Sequence, residues 1–185
     1  MYKLFVDTHS DLITIAFIKD NNVISKEVKS ENGHAEVLVP TFKKLLEENN
    51  INIDDIKEII AVNGPGSFTG IRIGLSLVKT LSYTKNIPVK LISSLECFLV
   101  SSNIDENKVA YLEDARGAYV YAFDKDNNPL MEEIYIEDYE NIINKYKCVE
   151  NKLDILKIVN YSKKLKEVNV HLIKPNYVKK IEVEK

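Results

Sequence analysis

The sequence predicts an α/β fold in which one unit of three strands, a helix, a strand and a helix is used twice. Three observations predict it. Short apolar or alternating runs come in threes, over 2–28 and again over 109–136, and each trio is followed by a stretch with helical periodicity. Turns rich in Asn and Asp, Lys19-Asp20-Asn21-Asn22 and Asp126-Asn127-Asn128-Pro129, punctuate the trios, since these residues tolerate positive φ. Hydrophobic residues make up 45% of the 185, enough for a packed core and too many for a disordered chain.

The first run, 2–6, is short and apolar. Residues 12–18 are apolar on both alternating faces (Ile13, Ile15, Phe17 against Leu12, Ala16, Ile18), the mark of a strand buried on both sides. Residues 23–28 alternate with Ser, Lys and Glu and read as an edge strand. A helix follows over 36–48, with Leu38, Phe42, Leu45 and Leu46 on its stripe. Pro40 is expected near its first turn, where a missing N–H does least harm. A strand at 56–62 leads through a glycine-rich turn into a second helix over 67–84. A strand at 88–92 precedes a short helix opened by a capping box, Ser93 with Glu96 three residues on.

The second unit begins after the polar link Ser101-Ser102-Asn103. Strands at 109–113 and 119–123 are joined by Ala115-Arg116-Gly117, and a third strand spans 130–136. An amphipathic helix at 138–146 carries Tyr139, Ile142, Ile143 and Tyr146. A short strand at 146–149 and a helix at 153–165 complete the unit. The doubled order βββαβα is that of the actin-like/ribonuclease-H-like fold, an antiparallel meander followed by parallel strands and crossover helices. The chain therefore divides into subdomains 1–102 and 103–185.

Lys+Arg number 25 against 28 Asp+Glu, a net charge of −3, so the chain lacks the cationic excess that tight nucleic-acid binding requires. The only arginines are Arg72 and Arg116. Cys97 and Cys148 lie far apart, in apolar contexts and without metal-ligand spacing, and read as two buried thiols in a reducing compartment. No apolar run nears the ~18 residues of a membrane span, and the N-terminus is too short and acidic for a signal peptide. A soluble, cytoplasmic protein is expected.

Gly64, Gly66, Gly70 and Gly74 fall within one short segment. One reading is a phosphate cradle at a helix N-terminus. Against it, no Lys-Ser/Thr follows Gly70, and Gly64, Gly66 and Gly70 miss the G-x-G-x-x-G spacing by one residue. The other reading is packing: Gly66, Gly70 and Gly74 recur every fourth residue, line one side of the helix and let another backbone come close. Phe68, Ile71, Ile73, Leu75, Leu77, Val78 and Leu81 are spread nearly all round, so the helix needs cover on every side. The sheet supplies one side; the 38–46 helix, a second protein or both must supply the other. A partner subunit is the expected cover, with Gly74→Leu expected to abolish partner binding and leave the monomer folded.

The segment Gly64-Pro65-Gly66-Ser67-Phe68-Thr69-Gly70-Ile71-Arg72-Ile73-Gly74 resembles the signature of the TsaB (YeaZ) family. Other stretches fall in the family's order: Asp7-Thr8, Gly33-His34-Ala35-Glu36 with Leu38 and Pro40, Ser93-Ser94-Leu95, Asp114-Ala115-Arg116 with Tyr119 and Tyr121, and Lys174-Pro175-Asn176-Tyr177-Val178. His9 stands where the family usually has serine, and the region between Ile136 and Lys174 is shorter than usual, which implies a shortened second subdomain. The resemblance implies an actin-like (ASKHA) fold and a part in forming the threonylcarbamoyl group on adenosine 37 of tRNAs that read ANN codons. It implies a non-catalytic subunit that pairs with the catalytic TsaD, is joined by the ATPase TsaE, and self-pairs when TsaD is absent. ATP and a metal would then belong to the partner subunits, and tRNA would be met only through the complex. The surface offered to TsaD would comprise Leu38, Phe42 and Leu45 with Gly66, Gly70, Ile71, Arg72, Gly74, Leu75 and Val78.

The residues give no enzyme of their own. TsaD relatives hold a metal with His-x-x-x-His, and here His34 is followed at that spacing by Leu38, so His34 and Glu36 read as bracing the helix start. Asp7 and Asp11 sit in a first hairpin without the glycine that phosphate approach needs, and read as structural, on a solvated turn. Neither cysteine has a cationic neighbour in sequence. Arg72 reads as a surface or local ion pair, or as a fork for a carboxylate on the partner; Arg116 reads as paired with Asp114. Tyr119 and Tyr121 should share a sheet face. The catalytic, metal and cofactor assignments stay empty. The rival readings are an independent actin-like small-molecule kinase or ATPase, a metalloprotease, and a self-associating structural domain.

Overall fold

The computed structural model describes residues 1–31 and 33–178. Strands β1 (Tyr2–Asp7), β2 (Leu12–Lys19) and β3 (Asn22–Lys29) form the antiparallel meander, and β2 is buried along all but its two end residues. Asp20 and Asn21 take positive φ between the paired residues Lys19 and Asn22, the two-residue turn that matches strand twist. Helix α1 (His34–Glu48) then crosses to β4 (Ile56–Val62), which pairs parallel with β1. Helix α2 (Phe68–Lys85) crosses to β5 (Val89–Ile92), parallel to β4, and α3 (Ser94–Ser101) follows with both hydrogen bonds of its capping box in place. The second unit has β6 (Lys108–Asp114), β7 (Gly117–Phe123), β8 (Ile134–Ile136), the one-turn helix α4 (Glu140–Ile143), β9 (Lys147–Cys148) and α5 (Ile155–Tyr161).

Each sheet runs outward from its first strand in the same sense. The larger, with β10 (Glu167–Val168) at one edge, is ordered β10-β5-β4-β1-β2-β3 and the smaller β8-β7-β6-β9, the ribonuclease-H-like arrangement twice. The closing strand of the larger sheet, β10 (Glu167–Val168), comes from the C-terminal part of the chain, and Ile173 after it is buried in the first unit's core. Two cores flank the larger sheet. One lies under α1 and α2; the other lies beneath α3 and α5 and continues onto β6 and β7 through Ala110 and Phe123.

Four local expectations are corrected. Helix α1 begins two residues early because the His34 ring is anchored to the Ser10 carbonyl (Nε2···O 2.7 Å), so Pro40 lies in the second turn, on the exposed side where the unpaired carbonyl meets water. The strand expected at 130–136 forms only over β8, because residues 131–133 leave the sheet and carry Glu133 towards α3 and Asn176. The helix expected over 138–146 is the single turn α4, since the chain must already pair with β6 at Lys147. The helix expected over 153–165 is α5 followed by a tighter turn at Ser162–Lys164.

The two thiols also differ. Cys97 is buried, and burial above all, with the nearby charges of Asp7, Glu96 and Glu133, holds its pKa well above the usual thiol value. Cys148 is exposed on β9, contrary to the expectation for both. A maleimide is therefore expected to modify Cys148 in the native protein and Cys97 only after denaturation, read by intact mass. Two additions under native conditions would contradict this placement.

Candidate functional site

The glycine segment meets a backbone, and that backbone is the chain's own. The loop Asp7-Thr8-His9-Ser10 between β1 and β2 lies across the first turns of α2. A Cβ on Gly66 would overlap the His9 carbonyl, one on Gly70 the Thr8 carbonyl and the His34 ring (2.6 Å to Nε2), and one on Gly74 the Thr8 hydroxyl. Gly66 also has φ of +147°, a backbone conformation that suits glycine. The every-fourth-residue spacing thus marks the contact of α2 with the first hairpin rather than with a second molecule.

The same loop closes the helix start. The Ser67 N–H donates to the His9 carbonyl at 2.6 Å, Gly70 N–H to Ser67 Oγ at 3.1 Å, and Ile71 N–H to the Ser67 carbonyl at 2.9 Å. Two of the N–H groups at the helix start, those of Ser67 and Gly70, are thereby committed within the chain, and the His9 and Thr8 carbonyl oxygens lie against this end of α2. The residues here do not form a His-x-x-x-His metal pair. His34 is held by Ser10, and the fourth residue after it, Leu38, is wholly buried in the core.

Asp7 is not on a solvated turn. It is 1% exposed, and both of its oxygens accept from His9 Nδ1, at 2.8 and 2.9 Å, while Oδ1 also accepts from the His9 N–H at 2.9 Å. Burial lowers the His9 pKa, but the charge of Asp7 and its hydrogen bond outweigh that and hold it above the ordinary imidazole value. His9 also packs edge-on against Phe98 of α3, with ring centroids 5.5 Å apart. The Asp7–His9 pair therefore fixes the loop on which the glycines rest.

Helices α1 and α2 lie side by side on one face of the larger sheet. Of the surface residues expected from sequence, Leu38, Phe42, Leu45, Gly70, Ile71, Gly74, Leu75 and Val78 are buried, because they occupy the helix sides turned to the sheet and loop. Only Gly66 and Arg72 are exposed. The chain hides most of the apolar circumference of α2 by itself. What faces outward is mixed: Thr69, Arg72, Ser76 and Thr80 are exposed, while Ile73 and Leu77 are half-buried on the stripe of Gly70, the glycine that meets α1. On α1, Val37 and Leu46 are half-buried and Val39 is 51% exposed. Sequence reasoning missed Val39, although its place on the charged side of α1, among Glu36, Lys43 and Lys44, could have shown it.

Among the described residues Arg72 contacts two aromatic side chains rather than a carboxylate. Its guanidinium stacks 3.7 Å from the Phe68 ring centroid, and Nη2 donates to the Tyr177 hydroxyl at 2.9 Å. Residues 173–178 thereby form a strap over the N-terminal end of α2. Asn176 ties it at both ends of the residue: its N–H donates to the Asn63 carbonyl at 2.7 Å and its side chain to Glu133 Oε2 at 3.0 Å. Tyr119 packs edge-on against Tyr135, and Tyr121 against Phe123.

A family model described as TsaD, tRNA N6-adenosine threonylcarbamoyltransferase, matches residues 21–142. The chain belongs to that family. Within the TsaD family its likeness is to TsaB (YeaZ) proteins. The tRNA threonylcarbamoyladenosine biosynthesis protein TsaB of Bacillus subtilis (strain 168) is 31% identical over 119 residues, 64% of this chain and 52% of that protein. The TsaB of Buchnera aphidicola subsp. Acyrthosiphon pisum is 24% identical over 184 residues, covering 95% of this chain and 81% of that one. The first of these matches spans about half of the relative's length. The solved structure of YeaZ from Pseudomonas aeruginosa superposes with a TM-score of 0.81 at 18% identity, covering 95% of this chain and 99% of that one. The actin-like fold of this TsaD-family chain is thus shared, and the glycine segment that first suggested TsaB is the part that seats α2 on the first hairpin. Among the described residues no helix is long and apolar enough to cross a membrane.

Proposed function

We propose that this chain is a cytoplasmic, non-catalytic scaffold subunit in the formation of the threonylcarbamoyl group on adenosine 37 of tRNAs that read ANN codons. In this reading it pairs with a TsaD-type catalytic subunit, that pair admits a TsaE-type ATPase, and the chain pairs with a second copy of itself when the catalytic subunit is absent. ATP and metal act in the partners, and tRNA is reached only through the complex. Family membership supports the pathway, and one observation supports the docking face: the outer sides of α1 and α2 leave apolar side chains uncovered, with Val39, Phe68 and Tyr83 exposed and Ile73 and Leu77 half-buried.

The residues first expected at the interface serve it from beneath. Leu38, Phe42, Leu45, Ile71, Leu75 and Val78 hold the two helices in place, and the glycines set the depth of α2. The contact itself passes to Val39, Ile73 and Leu77, with Arg72 at its rim. A docking centre of this kind loses about 2–4 kcal/mol when a central apolar residue is made charged, a fall of roughly 30- to 1,000-fold in affinity. Purified chain mixed with the TsaD-type subunit of the same organism should give a heterodimer by mass measurement, and Ile73→Arg should weaken it by that factor while the melting temperature stays near wild type. Heterodimer formation at wild-type affinity by Ile73→Arg and Val39→Glu would place the interface elsewhere, and no heterodimer at all would remove the scaffold reading.

A further inference from the structure

Arg72 is held in place with most of its donors unused. Its guanidinium lies 3.7 Å from the Phe68 ring centroid and gives one hydrogen bond, from Nη2 to the Tyr177 hydroxyl at 2.9 Å. A guanidinium carries five N–H donors in a fixed plane, and the other four donate to no group among the described residues. The stack stands at the surface: Arg72 is exposed, Phe68 is 54% exposed and Tyr177 48%. The two rings lie 6.2 Å apart, and Tyr177 belongs to the strap that Asn176 ties to Asn63 and Glu133. An arginine on a surface ordinarily loses rotamer freedom when it takes a ligand, and this one has lost it beforehand.

Beside the stack is an apolar recess of about 170 Å³. Its lining comes from three parts of the chain: Pro65, Phe68 and Ile71 around the start of α2, Pro175 and Tyr177 of the strap, and Tyr119 of β7. Among the described residues none that lines it is charged. An apolar cavity of ~150 Å³ holds one benzene ring, so this recess has room for one ring and little more. Phe68 and Tyr177, the two residues that hold the guanidinium, are also part of the lining. A group seated in the recess and a group on the free edge of Arg72 are therefore separated by only a few bonds.

We infer that this recess and Arg72 form a binding site for a small carboxylic acid that carries one aromatic ring. The ring fills the apolar recess, and the carboxylate takes the edge of the guanidinium that Tyr177 leaves free. Charge selects the anion, because a cationic group stands at the rim of a neutral lining. Shape selects a carboxylate, whose two oxygens match two parallel N–H groups of the planar fork. Volume selects the free acid, since the recess admits a ring but no flanking main chain of a polypeptide. Bound there, the acid joins α2 to the strap and tightens the strap across the two units. The site is complete within one chain, so its test does not depend on the docking reading.

Phenylacetate titrated into the full chain and followed by NMR is expected to saturate with a Kd on the order of 1 mM. The amides of Phe68, Ile71 and Tyr177 and the Arg72 Nε–H should shift together. 2-Phenylethanol, which keeps the ring without the charge, and acetate, which keeps the charge without the ring, should each bind about tenfold more weakly or worse. Arg72→Gln alters an exposed side chain and should leave the rest of the spectrum in place, while reducing phenylacetate to the level of 2-phenylethanol. Tyr177→Phe keeps the ring, releases the guanidinium and should weaken binding several-fold. At saturation the Asn176 amide, bonded to the Asn63 carbonyl, should exchange more slowly with solvent. No shift at these amides up to about 20 mM phenylacetate, equal binding of 2-phenylethanol, or unchanged affinity in Arg72→Gln would overturn the site. A peptide ending in phenylalanine that binds more than about tenfold tighter than phenylacetate would overturn the free acid as its ligand and assign the recess to a chain terminus.

Discussion

Replacing Gly70 by alanine is expected to destabilise the protein by about 3 kcal/mol, measured as a lower denaturant midpoint at unchanged slope. Helix propensity alone says the opposite, since alanine in a helix interior is favoured over glycine by about 1 kcal/mol. Packing wins here because the new Cβ would overlap the Thr8 carbonyl, a backbone atom that moves only if the whole β1–β2 loop moves. Gly74→Ala meets the same residue at a different atom. There the obstacle is the Thr8 hydroxyl, with the Cγ2 and Cβ of that side chain at 3.1 and 3.2 Å. Thr8→Ala should therefore recover most of the loss in Gly74→Ala and none of the loss in Gly70→Ala, a coupling of about 2 kcal/mol in one cycle and near zero in the other. Gly74→Leu, expected from sequence to spare the monomer, should instead unfold it. Wild-type stability in Gly70→Ala would mean that the loop does not rest where the structure places it.

Asp7→Ala is expected to cost about 3–5 kcal/mol, because it strips a buried imidazole and the His9 N–H of their acceptor at once. Asp7→Asn should cost much less, since one amide oxygen can still accept from both donors. The two variants share a second effect, on pH dependence. His9 has a folded-state pKa held above 6.5, so the stability it contributes is fully present below about pH 6.5 and is lost as pH rises through the folded value. Asp7→Asn removes the charge that raises it and should flatten the decline that sets in above about pH 6.5, followed by thermal melts and by titrating the His9 ring protons by NMR. An unchanged His9 titration in Asp7→Asn would show that the pair does not set the histidine's charge.

Local and periodic features were legible before any coordinates. The double-faced apolar pattern of residues 12–18 could only be a strand covered on both sides, and β2 is that strand. Asp20 and Asn21 in the left-handed region, and Ser93 with Glu96 around one helix start, are short-range chemistry that neighbours along the chain decide. The weaker half was the second unit, where β8 and β9 are short and the apolar residues of 138–146 fit one turn leading into a strand as well as a long helix.

By itself the sequence determined that the chain folds as a doubled unit, and that something must come close to Gly66, Gly70 and Gly74. Both follow from periodicity, which the backbone obeys wherever it lies. Only the tertiary structure decided that the close approach is made by Thr8 and His9, that Leu38, Phe42 and Leu45 turn inward, and that Glu133 reaches a strap residue 43 positions away. Which distant segment fills a given gap depends on the packing of the whole core, and no repeat in one segment carries that choice.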